Sequence, residues 1–356
     1  MNTTLEQTQP PVKPKKGFLR GLGITMGVLT LVASWTVLKP LNLPPSTLAP
    51  DSSTQFWQLS SGSRIAYRHM AAVGEARPFP IVFLHGGPGG YFSKSNVQVL
   101  GQLAQDGFQV YFYDQVGGGR SSRLKNPSDY TVVRQVSDLE LIRQQIGSEK
   151  LILIGHSFGS SLAGHYLKAH PKRVERMILG SASPLWPAGI KIRGNFMDAY
   201  SPAAKAKVEA LQELPKLVVT DLLADILPGA AYILLPALLP DREMDAFYRA
   251  ILNADAYPSD EPIEGFGGYA NRVLSQDLNR LTLDPRAALQ RAALQTALLS
   301  ILILRPEQDY LTLEVAQDWI KILPNSRLET ILNSSHRYYD DQPQMALEKT
   351  RAFLLE

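Results

Sequence analysis

The chain alternates between short runs that are apolar at every position and longer stretches whose apolar residues recur at helical spacing. Ile81 to Leu84 (IVFL), Val110 to Tyr113 (VYFY) and Leu151 to Ile154 (LILI) are runs of the first kind, as expected of strands buried on both faces of a parallel sheet. Met177 to Leu179 continues the series. Helical periodicity lies between them, over Val97 to Gln105 and Val132 to Ile146, and a further helix is predicted from Phe158 to Ala169, stopping before Pro171. Upstream, Phe56 to Leu59 and Arg64 to Tyr67 flank the turn residues Ser61-Gly62 and read as a hairpin. After Ser183 the pattern changes, and residues 184–294 offer only helical or irregular segments. Alternation resumes with Ser300 to Leu304 (SILIL), a helix from Thr312 to Ile322, a strand from Leu328 to Leu332 and a final helix from Pro343 to Leu354. The class is therefore α/β, a mostly parallel sheet in two parts (55–183 and 295–356) with a helical cap inserted between them. The apolar run Leu222 to Leu239 within the cap is broken by Pro228 and Pro236 and contains Asp225. It reads as a buried or substrate-facing cap helix, with a membrane span as the alternative.

The N-terminus stands apart. Residues 1–20 carry Lys13, Lys15, Lys16 and Arg20, and Gly21 to Leu38 carries no charge at all. As a helix that segment is roughly 27 Å long, close to the roughly 30 Å of a bilayer core. With the basic residues ahead of it, the expected arrangement is a transmembrane anchor with a cytoplasmic tail and an extracytoplasmic catalytic domain. The alternative is a signal segment cleaved at Val32-Ala33-Ser34, giving a secreted protein. Residues 39–54, rich in proline, read as an extended linker, so removing residues 1–45 is expected to leave the domain intact.

Composition narrows the functions. Of 356 residues, 45% are hydrophobic and 19% charged, which is a globular balance, and 36 basic against 33 acidic residues (net +3) give no basis for nucleic-acid binding. There is no cysteine, which excludes disulfides, thiolate metal sites and a cysteine nucleophile. No zinc-hydrolase pattern is present.

The chemistry concentrates at Gly155-His156-Ser157-Phe158-Gly159, a G-x-S-x-G turn between the strand at Leu151 and the helix at Phe158. That is the context of a nucleophile elbow, with Ser157 as nucleophile and the following N–H, that of Phe158, as one oxyanion donor. The second donor should come from the glycine loop after IVFL, His85-Gly86-Gly87-Pro88-Gly89-Gly90, with Gly87 preferred and Gly86 as the alternative. Such an elbow goes with the chain order Ser, acid, His. Of six histidines only His336 lies after Ser157 and beyond the helical segment that carries His165 and His170, so it is the expected base. The acid should follow the strand at Ser300, which makes Asp309 the choice and Glu307 the alternative. His85 and His156 are expected to shape the site rather than titrate in it. Asp340 and Asp341 follow His336 too closely to orient it and read as solvated.

His85-Gly86-Gly87-Pro88-Gly89, Asp114-Gln115-Val116-Gly117-Gly118-Gly119-Arg120-Ser121 and Gly155-His156-Ser157-Phe158-Gly159-Ser160 together resemble the proline iminopeptidase branch of the α/β-hydrolase fold. The resemblance spans roughly residues 55 to 183 and 295 to 355. It implies a Ser-Asp-His triad, no cofactor, and release of the N-terminal residue of short peptides. Cap acids would then hold the free amine, and Glu243, Glu261 and Glu264 are the candidates by position. The elbow departs from that branch at His156 and Phe158, where glycine and tryptophan are usual, and Gly-His-Ser is common among esterases and lipases. Ester hydrolysis is thus the alternative activity, and a non-catalytic binding protein on the same fold a more distant one. Asp114 and Arg120 are expected to tie their loop together and line the entrance.

Overall fold

The computed structural model describes residues 35, 38–44, 46, 48–190, 197, 200–226, 236–254, 262–281, 283–296, 299–323 and 325–356. Eight strands form one sheet: β1 (Gln55–Gln58), β2 (Arg64–Met70), β3 (Ile81–Leu84), β4 (Val110–Tyr113), β5 (Leu151–His156), β6 (Val174–Gly180), β7 (Ser300–Pro306) and β8 (Ser326–Ile331). Their order is β1-β2-β4-β3-β5-β6-β7-β8. The β1–β2 and β2–β4 pairings are antiparallel and the remainder parallel.

The all-apolar runs feed two cores by alternation. Val82, Leu84, Tyr111, Tyr113, Leu151 and Leu153 point to one face of the sheet. Ile81, Phe83, Val110, Phe112, Ile152 and Ile154 point to the other. A strand residue has its neighbours on opposite faces, so a strand buried on both must be apolar throughout. The helices are α1 (Lys94–Leu100), α2 (Val132–Ile146), α3 (Phe158–Ala169), α4 (Pro202–Gln212), α5 (Pro215–Ile226), α6 (Asp241–Leu252), α7 (Gly268–Asn279), α8 (Arg286–Leu294), α9 (Leu313–Ile322), α10 (Tyr338–Asp341) and α11 (Pro343–Leu355). α2, α3 and α9 cover the first face, through residues such as Leu139, Tyr166 and Trp319. α1, α10 and α11 cover the second, through Leu100, Tyr338 and Phe353. Where helical periodicity extends to Gln105, the chain tightens after Leu100 into a 3-10 turn, Gly101–Asp106, closed by Gly107 at φ 84°.

Among its described residues the insert contains helices and no strand. Val208, Leu217, Phe247 and Leu274 join the first core, so cap and sheet share one apolar interior. Leu289 and Ala293 of α8 enter the same core beneath the cap.

No helix among the described residues is long and apolar enough to cross a membrane. The expected anchor or signal segment lies almost wholly outside the described residues, as does most of the second half of the Leu222–Leu239 run.

The proline-rich stretch after it departs from the expected free linker. Leu41 and Leu43 pack against the first core. The Leu41 N–H donates to the Glu243 carboxylate (3.2 Å). Lys216 Nζ, paired with Glu243 at 2.7 Å, also reaches the Lys39 carbonyl at 3.4 Å. Ser46 Oγ accepts the Gly265 N–H (2.9 Å). This strap joins α5, α6 and the segment before α7. A chain beginning at residue 46 should therefore be less stable than one beginning at residue 35, by about 2 kcal/mol or more from the lost leucine burial and the exposed ion pair. Thermal melts of the two truncated chains measure the difference, and equal midpoints would return residues 39–45 to the role of a free linker.

Three buried histidines make the fold acid-sensitive. Burial holds His85, His156 and His165 each down to about 4 from an ordinary 6.5, with the His336 charge adding to the effect at His156 and that of Lys168 at His165. They stay neutral in the folded chain but protonate in the unfolded chain below 6.5. The unfolded state binds more protons in that window, so stability falls as pH drops from 6.5 towards 4. Near pH 5, unfolding should take up close to three protons from these residues, read from the slope of unfolding free energy against pH.

Candidate active site

β5 ends at His156 and α3 begins at Phe158, so Ser157 occupies the single residue between strand and helix. Its backbone sits at φ 54° and ψ −121°, a region that side-chain-bearing residues rarely enter. The turn is forced by close packing. A Cβ on Gly155 would lie 2.6 Å from the Gly159 backbone, and one on Gly159 would fall onto the Leu84 carbonyl. Glycine at both positions lets the start of α3 abut the ends of β5 and β3 and lifts Ser157 into the cavity above the sheet.

Asp309 and His336 reach the site from adjacent strands. The turn after β7 and the loop after β8 are zipped by backbone bonds, Glu307 N–H to Ile331 O (3.0 Å) and Gln308 N–H to Ser334 O (2.9 Å). Beyond that zip His336 Nδ1 lies 2.8 Å from Asp309 Oδ1, and the Asp309 side chain is 1% exposed. Burial alone would raise the Asp309 pKa. The hydrogen bond and charge of His336 outweigh it, with the Leu311 N–H contributing, and hold the carboxyl below its ordinary value. Glu307, the alternative acid, accepts the Asn333 N–H at 2.9 Å and braces the loop instead. Asp341, though exposed, accepts both the N–H and the hydroxyl of Ser335 (2.6 Å each) and steadies the residue before His336.

Beside His336 lie His156, expected to shape the site, and Tyr310 and Ser181, which belong to no motif. The Tyr310 ring packs against the imidazole at 4.5 Å between centroids. The His336 carbonyl accepts from His156 Nε2 (2.8 Å) and Ser181 Oγ (3.1 Å). With its Nε2 proton engaged and its pKa at about 4, His156 is a neutral clamp on the backbone of His336. Ser181, at φ 44°, is the one of these that a sequence gives no sign of.

The glycine loop lies against the elbow serine: a Cβ on Gly86 would be 2.9 Å from that of Ser157. Gly86, Gly87, Ser157, His156 and His336 line one cavity of about 820 Å³. The DQVGGGRS segment braces this loop. The Gln115 N–H donates to His85 Nε2 (2.8 Å) and its side-chain amide to the His85 carbonyl (2.8 Å). His85 Nδ1 therefore carries the proton and donates it to Gly86 O (2.8 Å). Asp114, fully buried, accepts the Arg120 N–H and guanidinium (2.9 Å each) and the Phe92 N–H (3.0 Å). These two residues tie the loop as expected, but they do not line the cavity.

The cap meets these loops backbone to backbone. The Gly267 N–H donates to Gly89 O (2.7 Å), the Gly119 N–H to Gly265 O (2.8 Å), and Asn271 Nδ2 to Pro88 O (2.8 Å). A Cβ on Gly267 would fall on the Gly117 carbonyl and one on Gly118 on that of Gly90.

The cap acids expected to hold an amine are placed otherwise. Glu243 is buried against Lys216 and the strap, and Glu264 pairs with Arg249 (2.7 Å), both away from the cavity wall. Their partners lie on other turns or helices, which is why position in the insert did not reveal their engagement. Glu261 lies outside the described residues. The acids that do line the cavity are Asp221, paired with Arg272, and Asp340, paired with Arg337 at 2.9 Å. Asp340, expected to be solvated, is exposed and also borders the cavity. Apolar side chains from the cap, among them Val208, Leu217, Phe247, Ile251 and Phe266, form much of the remaining wall. Among the described residues no group of three or more His, Asp or Glu is placed to hold a metal ion.

The family model for the alpha/beta hydrolase fold matches residues 80–343. The chain belongs to the α/β-hydrolase fold family. Within that family its curated relatives include the proline iminopeptidase of Saccharolobus solfataricus, 33% identical over 154 residues, 43% of this chain and 48% of that one. The chain spans less than half the length of the curated relatives it matches. Among solved structures, a proline iminopeptidase from Mycobacterium smegmatis aligns with a TM-score of 0.54 at 18% identity, covering 85% of this chain and 98% of that one. An esterase from Exiguobacterium antarcticum aligns with a TM-score of 0.55 at 20% identity, covering 85% and 99%. Likeness at that level speaks for the fold.

Proposed function

We propose that this chain is a serine hydrolase of the proline iminopeptidase-like type, which releases the N-terminal residue of short peptides through an acyl-enzyme on Ser157. The observation that carries the hydrolase reading is His336, hydrogen-bonded to the buried Asp309, lining the same cavity as an elbow serine. In this mechanism Ser157 Oγ attacks the substrate carbonyl and His336 takes its proton, with Asp309 holding Nδ1–H and stabilising the imidazolium. The N–H groups of Phe158 and Gly87 receive the developing oxyanion. His336 then gives the proton to the leaving amine, and a water, deprotonated by the same imidazole, hydrolyses the acyl-enzyme. The peptide assignment draws on the curated relatives. The N-terminal segment 21–38 serves as membrane anchor, with the catalytic domain extracytoplasmic.

One observation favours a second reading, a carboxylesterase of apolar esters. Both acids described on the cavity wall are already engaged by arginines. A buried ammonium needs a carboxylate of its own, whereas an ester needs only the apolar wall. Fluorophosphonate treatment followed by peptide mass spectrometry should place the adduct on Ser157, and an adduct elsewhere would remove the mechanism. Comparing kcat/KM on aminoacyl-naphthylamides and on p-nitrophenyl esters then separates the substrates: turnover of esters alone removes the peptidase reading.

A further inference from the structure

The strap is bonded to the cap at three places, and each lies within about one helical turn of the cavity wall. On α5 it meets Lys216, whose Nζ is 3.4 Å from the Lys39 carbonyl. Leu217, the next residue, and Asp221 line the cavity. On α6 it meets Glu243, which takes the Leu41 N–H at 3.2 Å. Phe247 and Ile251 follow Glu243 at four-residue steps, on the same helix face, and both line the cavity. Before α7 it meets Gly265, whose N–H donates to Ser46 Oγ at 2.9 Å. Gly265 stands between the lining residues Ile263 and Phe266, and a Cβ there would lie 2.5 Å from that of Leu48.

The buried Lys216–Glu243 pair ties α5 to α6, and Arg249–Glu264 ties α6 to the segment before α7. The strap runs across all three. Both members of the buried pair also bond to its main chain, and Leu41 and Leu43 pack on the core to which Leu217 and Phe247 belong. We propose that Leu41 and Ser46 are positioning residues for the apolar wall of the active site, and that the strap thereby sets affinity for substrates whose apolar chain reaches the cap. The inference rests on the serine hydrolase reading of Ser157. The strap touches no reacting group. It keeps the wall formed before a substrate arrives, so that binding does not have to order the cap. A wall that is formed only part of the time binds its ligand more weakly in proportion. The catalytic groups stand on the loops after β5, β7 and β8, whereas the strap's bonds go to the cap, so the chemical step should not depend on them. A small substrate that stays at Ser157 should not register the strap at all.

The test uses fluorophosphonates that carry either an ethyl or an octyl chain, with labelling of Ser157 followed over time by peptide mass spectrometry. Full-length parent, Ser46→Ala, Ser46→Thr and the double variant Leu41→Pro with Ser46→Ala are compared well below their melting temperatures. Loss of the hydroxyl acceptor alone should raise the half-saturating concentration of the octyl reagent about threefold, and loss of both strap bonds about tenfold. The limiting rate with the octyl reagent, and all of the kinetics with the ethyl reagent, should stay within about twofold of the parent. Ser46→Thr keeps the hydroxyl and should match the parent. A strap that only adds stability would lower the melting temperature and leave the octyl half-saturation where it was, which overturns the proposal. Tighter octyl binding overturns it too, because the strap would then obstruct the wall. So does an equal loss with both reagents, which would place the strap's support at the catalytic loops. If the proline variant does not fold, Ser46→Ala against Ser46→Thr still decides. A parent in which Ser157 takes neither reagent overturns the hydrolase reading and this inference with it.

Discussion

Ser157→Ala is expected to lower kcat by roughly five to six orders of magnitude, the loss typical of removing a triad nucleophile, with little change in KM. The remaining donors and cavity still bind substrate, but no oxygen is placed to form the acyl-enzyme. Stability should be close to that of the parent, since alanine meets the same backbone strain at φ 54° that serine does. Glycine does not, so Ser157→Gly should be equally inactive yet more stable by about 1 kcal/mol. Steady-state kinetics and thermal melts on the two variants test both halves. Activity within tenfold of the parent in purified Ser157→Ala would end the acyl-enzyme mechanism.

Asp309→Asn comes next in size, with an expected loss in kcat of about four orders of magnitude. Asparagine matches the carboxylate in shape but carries no charge to stabilise the imidazolium, and its amide can present N–H to Nδ1 and select the wrong tautomer. Glu307 offers no rescue, because its carboxylate is held by the Asn333 N–H on the outer side of the loop pair. Glu307→Gln should therefore cost less than about tenfold, within what a neutral acceptor of the same hydrogen bond preserves. If the two variants exchange these magnitudes, Glu307 is the orienting acid and the geometry described here is not that of the working enzyme.

The strands and core helices are legible in the sequence because burial on both faces leaves no room for polar residues in IVFL, VYFY or LILI. The elbow is legible because two glycines and a serine between strand and helix answer a steric demand that few other sequences meet. The choice between Asp309 and Glu307 rests on two backbone bonds between distant loops, Glu307 to Ile331 and Gln308 to Ser334, which leave no trace in side-chain identity. The clamp on His336 by His156 and Ser181 is hidden for the same reason, since a main-chain carbonyl receives both bonds. The cap was least legible. Glu243 and Lys216 are 27 residues apart on separate helices, and nothing in either segment announces a buried pair. Its prolines make the strap resemble a linker, whereas Leu41 and Leu43 at alternate positions are the sign that it packs.

The glycine seam between the insert and the two core loops bears on how such enzymes diversify and how one might be recombined. A cap that touched the sheet only through side chains could be exchanged for another with compensating substitutions at the interface. Here residues 265–271 interlock with Gly89, Gly117 and Gly119 through main-chain atoms, so that stretch belongs to the host as much as β5 does. A chimera that takes its lid from a relative should keep Gly265 to Asn271 and splice on either side of them, leaving α4, α5 and α6 as the portable module.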